Sequence, residues 1–289
     1  MMPDPKYRNA FSMGTRLDAV FLDVSDEQAD HLIERLKAEF SELENLLSNY
    51  RSDSELSRLN NKAYSNSVQV SSRLLDIITE CHEYYLLTGG VFDPANPLIR
   101  QAEGHAGGGM DKVVTDRSDN SVRFLDGRVK IDSGGFGKGL AVREARKMLE
   151  AEGVENCLLS FGESSVLALG THPAGDHWPV AVGDIFNRHS SVRTARLVDR
   201  GMSTSGTGMV NNEGIFVAAG NIIDPRSGES IDEPRTVTFV SEDALEAEIL
   251  STALLVDNAC LGDDFSKTGR EAFEVCYDPN GNYKVNELL

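Results

Sequence analysis

The chain has 289 residues, 40% hydrophobic and 26% charged, with a net charge of -18 and a pI near 4.7. That length suits one large domain or two small ones and allows a sizeable core. The acidity speaks against a general nucleic-acid or anionic-membrane binder, so a bound phosphate needs local positive charge or a cation.

Residues 1–12 are read as an N-terminal arm and 13–289 as one domain. The opening MMPDPKYRNAFS has no apolar signal region, so the chain as written is expected in the cytoplasm. An exported protein whose leader had been removed would read the same. No apolar run approaches the ~18 residues of a membrane span. The four cysteines, Cys81, Cys157, Cys260 and Cys276, are widely spaced and read as reduced. His172 and His177 flank a turn and do not match a zinc spacing.

Met13-Gly14-Thr15 precedes an alternating strand, Leu17 to Val24. Ser25 and Gln28 form a capping box ahead of a helix that places Leu32, Leu36, Phe40, Leu43 and Leu47 on one face. A polar turn with a short helical continuation follows over Tyr50–Asn60. Val68–Val70 leads to a helix from Ser72 to Leu87, which Gly89-Gly90 terminates. Val91–Pro97 holds two prolines and cannot be a regular element, and Gly104–Gly109 reads as a mobile loop.

Arg128–Ala141, RVKIDSGGFGKGLA, is the most suggestive stretch. Val129–Ile131 alternates like a short strand, glycines follow at 134, 135 and 137, and a helix runs from Gly139 to about Glu152. A strand, a glycine turn and a helix N-terminus suit an anionic ligand, because the first helical N–H groups lack internal partners. Lys138 adds a positive charge there, and Asp132 can accept hydrogen bonds from a ribose or base. The stretch matches neither the P-loop nor the G-x-G-x-x-G pattern. The competing interpretation is a glycine-rich turn with a surface lysine.

Strands are expected at Val154–Leu169 (broken at Gly162–Ser165), Trp178–Val182, Ser191–Leu197, Ile215–Ala219 and Val237–Val240. Ser203–Thr207 and Asn221–Gly228 read as turns. Ser241 is the expected cap of a helix running to Val256. Ala272–Tyr277 and Asn282–Val285 read as a hairpin around Asp278–Gly281. Strands and helices mix without strict βαβ alternation, which indicates an α+β fold.

Seven short motifs in this order resemble the ApbE family, the FAD:protein FMN transferases. They are M-G-T at Met13–Thr15, S-x-Y with S-E-L-x-x-L-N over Ser48–Asn60, and G-x-F-D-P at Gly90–Pro94. Then come I-D-x-G-G-x-x-K-G at Ile131–Gly139, S-T-S-G at Ser203–Gly206, I-I-D-P-R-S-G at Ile222–Gly228 and A-E-I-L-S-T-A at Ala247–Ala253. The resemblance implies a single compact, T-fold-related α+β domain built on a duplicated unit. It implies FAD as substrate, Mg²⁺ on the pyrophosphate, a flavin-accepting protein as partner, and release of AMP.

Carried over by position, the FAD contacts are Met13, Tyr50, Val91, Phe92, Asp93, Asp132, Lys138, Asn221 and Ile223. The metal ligands are the Gly135 carbonyl, Glu248, Ser251 and Thr252. Glu248, Asn221 and Lys138 are the catalytic positions. Glu248 and Thr252, four apart on a helix, share a face and can grip one ion; a solvated polar stripe is the alternative. The chain departs from the family where Glu248 replaces the usual Asp, Asn221 replaces His, Gly162-Glu163-Ser164 replaces G-G-[DN] and Arg143 replaces Asp. Three activities follow: flavin transfer, non-catalytic FAD binding, or hydrolysis of FAD to FMN and AMP.

Overall fold

A computed structural model describes residues 4–95, 109–187, 189–211, 213, 215–220, 222–262, 265 and 269–289. Asn221 and most of the glycine-rich loop expected at 104–109 lie outside them.

Strands β1 (Lys6–Ser12) and β2 (Thr15–Phe21) form a hairpin through Met13 and Gly14, both in left-handed backbone at φ 47° and 74°. The residues set apart as an N-terminal arm are thus an edge strand. Tyr7, half exposed, stands between Lys6 and Arg8, and Phe11 is 72% exposed, which hides the strand pattern.

Helix α1 (Asp26–Leu47) carries the expected capping box and buries Leu32, Leu36, Phe40, Leu43 and Leu47. Helix α2 (Glu55–Lys62) and helix α3 (Ser72–Leu87) follow, with β3 (Val68–Gln69) between them. β3, β4 (Val113–Asp116) and β5 (Ser121–Phe124) make a small antiparallel sheet. Helix α4 (Gly137–Ala151) starts two residues before its expected position.

The second half supplies β6 (Cys157–Phe161), β7 (Ser165–Leu169), β8 (Trp178–Gly183), β9 (Ser191–Leu197) and β10 (Arg200–Gly206). β11 (Gly208–Val210), β12 (Phe216–Ala218) and β13 (Arg235–Ser241) precede helix α5 (Ala244–Val256). β14 (Glu271–Tyr277) and β15 (Tyr283–Glu287) form the expected terminal hairpin.

The main sheet has eight antiparallel strands in the order β1-β2-β6-β7-β10-β13-β14-β15. Its centre is buried on both faces, as the uninterrupted burial of β7 records. Helices α1, α4 and α5 pack on one face around Phe40, Phe161 and Phe239. The β8–β9 hairpin covers the other face through Trp178, Val182 and Leu197. Each fully buried Leu or Phe contributes about 1.5–3 kcal/mol relative to an exposed one. α5 is apolar almost all round, with Leu245, Ile249, Leu250, Leu254 and Leu255 buried, as a helix enclosed by other elements requires.

Three local expectations differ. Ser203–Gly206, expected as a turn, is the end of central strand β10, paired with β13 and, at Ser203, with β7. Its serines and threonines read as turn formers, but here their backbones complete a ladder and hydroxyls pair across it, Thr204 Oγ1 lying 2.9 Å from Thr238 Oγ1. Val129–Ile131, expected as a strand, has no strand partner. The Asn60 side chain takes that place, accepting from the Ile131 N–H at 2.9 Å and donating to its carbonyl at 2.8 Å. Asp243, not Ser241, caps α5 through the Leu245 N–H at 2.9 Å.

Candidate active-site cleft

A cleft of about 470 Å³ opens where the glycine turn before α4, the end of β10 and one face of α5 meet. Its lining draws on six of the seven motifs: Tyr50; Val91 to Pro94; Asp132, Gly134, Gly135 and Lys138; Ser203 to Gly206; Ile222 and Ile223; and Glu248 and Thr252. Ser164 and Val256 complete it. The volume is in the range of small-molecule sites.

One wall is the segment Asp132–Lys138. Asp132 is held by its backbone N–H on the Pro94 carbonyl at 2.7 Å, and its Oδ1 accepts from the Gly134 N–H at 2.9 Å. Gly135 faces Phe92, whose Cε2 stands 3.5 Å from where a Cβ would be. α4 then begins with no capping side chain on its first residue. Its Gly139 N–H donates instead to Glu248 Oε2 of α5.

The opposite wall is α5. Glu248 is 3% exposed, and Lys138 Nζ donates to its Oε1 at 2.6 Å. The two helices can approach this closely because Gly139 lacks a Cβ. One built there would lie 2.6 Å from the Ala244 carbonyl oxygen and 2.7 Å from Glu248 Cβ. A buried carboxylate left without a partner is costly, so the pair with Lys138 and the Gly139 N–H is what lets Glu248 sit there. Ser205 Oγ lies 2.9 Å from both Ser251 Oγ and Thr252 Oγ1. Both of those hydroxyls also donate to the Glu248 carbonyl, at 3.0 and 3.1 Å.

The expected site residues therefore occupy three kinds of position. Tyr50, Val91, Phe92, Asp93, Asp132, Lys138, Ile223, Gly135, Glu248 and Thr252 line the cleft. Tyr50 is fully exposed at the rim, whereas Asp93 is buried and spent on the backbone, accepting from Ala95, Gly109 and Met110 at 3.0, 2.5 and 3.1 Å. Met13 and Ser251 stand behind the surface. Met13 Cε is 3.7 Å from where a Cβ on Gly137 would be, and Ser251 is completely buried. Asn221 is outside the described residues, next to the lining residue Ile222.

Sequence reasoning passed over Ser203, Ser205, Asn49 and Asn60 as individual residues. Their signal was present: two serines sit in S-T-S-G and Asn60 closes S-E-L-x-x-L-N. Arg143, a departure from the family pattern, has a structural use. It pairs with Glu80 of α3 at 2.7 Å and with Asp243, the cap of α5, so it joins three helices behind the cleft. Arg226 donates to Asp224 at 2.8 Å and to Asp257 at 2.6 Å. It thereby fastens the loop carrying Ile222 and Ile223 to the end of α5. Those hydrogen bonds hold both carboxyls below the usual carboxylate range.

Among the described residues no group of three or more His, Cys, Asp or Glu gathers into a ready metal cage. No helix among the described residues is long and apolar enough to cross a membrane.

A profile of the ApbE family matches residues 13–274. An FAD:protein FMN transferase of Klebsiella pneumoniae is 26% identical over 274 aligned residues, covering 85% of this chain and 76% of the relative. One from Vibrio cholerae is 27% identical over 234, covering 74% and 70%. In fold, the apo flavinyl transferase ApbE of Pseudomonas stutzeri superposes with a TM-score of 0.82 at 20% identity, covering 99% of this chain and 95% of that one. The ApbE protein of Thermotoga maritima gives 0.81 at 22% identity, covering 98% and 97%.

Proposed function

The chain belongs to the ApbE family, and from that premise we propose that it transfers FMN from FAD to a serine or threonine of a partner protein, releasing AMP. The observation that carries this reading is the convergence of six separate motifs on one cleft, with a lysine, a helix N-terminus and a row of hydroxyls facing each other. Curated relatives named FAD:protein FMN transferase support it.

The acceptor hydroxyl oxygen attacks the flavin-side phosphorus. A P–O bond forms there, the P–O bond to AMP breaks, and its electron pair leaves with AMP. In this reading Lys138, at the cleft surface, donates to phosphate oxygens, and the start of α4 favours negative charge. Gly134 and Gly135 let the pyrophosphate approach the backbone. The described lining holds no histidine, and Asp93 is spent on the backbone, so the proton leaving the hydroxyl meets the carboxylates Asp132 and Glu248.

The donors that line the cleft near α5 are hard oxygens, the Glu248 carboxylate, the Thr252 hydroxyl and the Gly135 carbonyl, with the Ser251 hydroxyl buried behind them. This set suits Mg²⁺, which binds through one or two carboxylates plus substrate phosphates. When bound, Mg²⁺ would neutralise charge on the pyrophosphate and the departing AMP. Glu248 would help to hold the ion, and Lys138, whose Nζ now donates to Glu248 Oε1, would supply a positive charge beside it.

The test is incubation of the protein with FAD and Mg²⁺, with and without a serine- or threonine-bearing acceptor peptide. AMP together with flavin-labelled peptide is the expected result. AMP with free FMN would make the protein an FAD pyrophosphatase, and intact bound FAD would make it a carrier.

A further inference from the structure

Asn60 is held by the backbone at both ends of its amide. The Ile131 N–H can only donate and the Ile131 carbonyl can only accept, at 2.9 and 2.8 Å, so the Asn60 oxygen and nitrogen are assigned without ambiguity. Its Nδ2 also donates to Asn49 Oδ1 at 3.2 Å. That contact fixes the second amide in turn: Asn49 must present Nδ2 on its other side, where it donates to Asp132 Oδ1 at 3.0 Å. The Gly134 N–H reaches the same oxygen at 2.9 Å. Asp132 Oδ1 is therefore doubly occupied, while no side-chain or backbone donor among the described residues reaches Oδ2.

We infer that Asn49 is a positioning residue for substrate recognition, oriented by Asn60. The two amides hold Asp132 so that Oδ2 alone is offered to the cleft as a hydrogen-bond acceptor. The inference rests on the reading of the cleft as an FAD site. The ligand group it selects is an N–H or O–H donor of the nucleotide: the amino group of the adenine edge, or a hydroxyl of the ribose or ribityl chain. Asn49 is exposed, so replacing it leaves the core intact, unlike Asn60, whose loss would strand the Ile131 backbone.

The test is FAD affinity by fluorescence titration for the wild type, Asn49→Ala, Asp132→Ala and the double variant, with thermal melting to confirm folding. Asn49→Ala should weaken FAD by ~10-fold, the order expected for losing one hydrogen bond to a charged group. It should cost nothing further once Asp132 is alanine, because its only route to the ligand is through that carboxylate. Asn49→Asp, which sets one carboxylate against another, should be worse than Asn49→Ala. A second titration uses the FAD analogue carrying hypoxanthine in place of adenine. If the amino group is the donor, the effect of Asn49→Ala vanishes with the analogue; if a hydroxyl is, it persists, and either pattern supports the inference. Equal FAD affinities for wild type and Asn49→Ala overturn it while leaving the functional reading standing. So does a full additional loss from Asn49→Ala in the Asp132→Ala background. A folded wild type that binds no FAD overturns both.

Discussion

Glu163 sits in left-handed backbone at φ 62°, beside Gly162 at φ 64°, in the tight turn from β6 to β7. Two successive residues of positive φ suit a hairpin, but a side chain at the second is strained. Glu163→Gly should stabilise the fold by about 1 kcal/mol, the left-handed cost less glycine's entropy in the unfolded chain; urea unfolding measures it, and no gain would mean the turn relaxes that strain elsewhere. Lys138 holds Glu248 at 2.6 Å and is expected to turn to phosphate when FAD binds. Lys138→Ala should weaken FAD by about 1–3 kcal/mol, as loss of a charged donor does; an unchanged dissociation constant removes it from the site. Asn221 cannot exchange a proton near neutral pH, whereas the histidine common at this position in the family can. Asn221→His should raise AMP release by up to about 10²–10⁴-fold if proton transfer limits the reaction. A wild-type rate already rising through a pKa near 6–7 would point to another group.

At the scale of elements, the approach of α4 and α5 decides the cleft. Gly139→Ala puts a Cβ 2.6 Å from a main-chain oxygen, which no rotamer change relieves. Overpacking of this kind costs about 1–3 kcal/mol, read as a lower urea midpoint, and it should weaken FAD as well by moving Lys138 and Glu248. The Arg226 clamp between the 222–228 loop and α5 is pH-dependent. Its two carboxyls are depressed in the folded state, chiefly by the Arg226 hydrogen bonds, so their contribution is present above the unfolded carboxylate values. It is lost as the pH falls below about 4, through the folded values. Melting from pH 7 to 3 should therefore fall more steeply for the wild type than for Arg226→Ala; parallel curves would show that the clamp adds nothing. The helices were legible in the sequence because capping and period are local: Ser25, Gln28 and the leucines of α1 lie within one segment. β10 and Val129–Ile131 were not, because their partners are remote. Serines look like a turn until β13 lies beside them, and an alternating tripeptide looks like a strand until an asparagine 71 residues away takes its backbone.

At the scale of the whole molecule, the motifs identified the cleft before any geometry, since each carries the glycines, hydroxyls or charges its place requires. What they could not convey was which residues line the cleft and which stand behind it, as Ser251 and Met13 do. That depends on packing by elements from the other half of the chain. Because both walls of the cleft belong to the folded state, FAD should bind only the native protein. At 100 times its dissociation constant FAD should add about 2.7 kcal/mol, or several degrees of melting temperature, as one shift of the whole transition. A flavin-independent melting curve would place the ligand outside this cleft.

The pairing of β2 with β6 has a kinetic consequence. It joins Leu17 to Phe161 and Phe21 to Cys157, so the hairpin that starts the sheet cannot be extended until residues 157–161 have emerged. The Gly139–Glu248 contact closes a further loop of 109 residues. Contacts this remote in sequence make for slow folding, since loop entropy is lost before the pairing rewards it. The cleft is therefore among the last features to appear on the ribosome. Until α5 has been synthesised and docked, a growing chain has only one wall of the cleft.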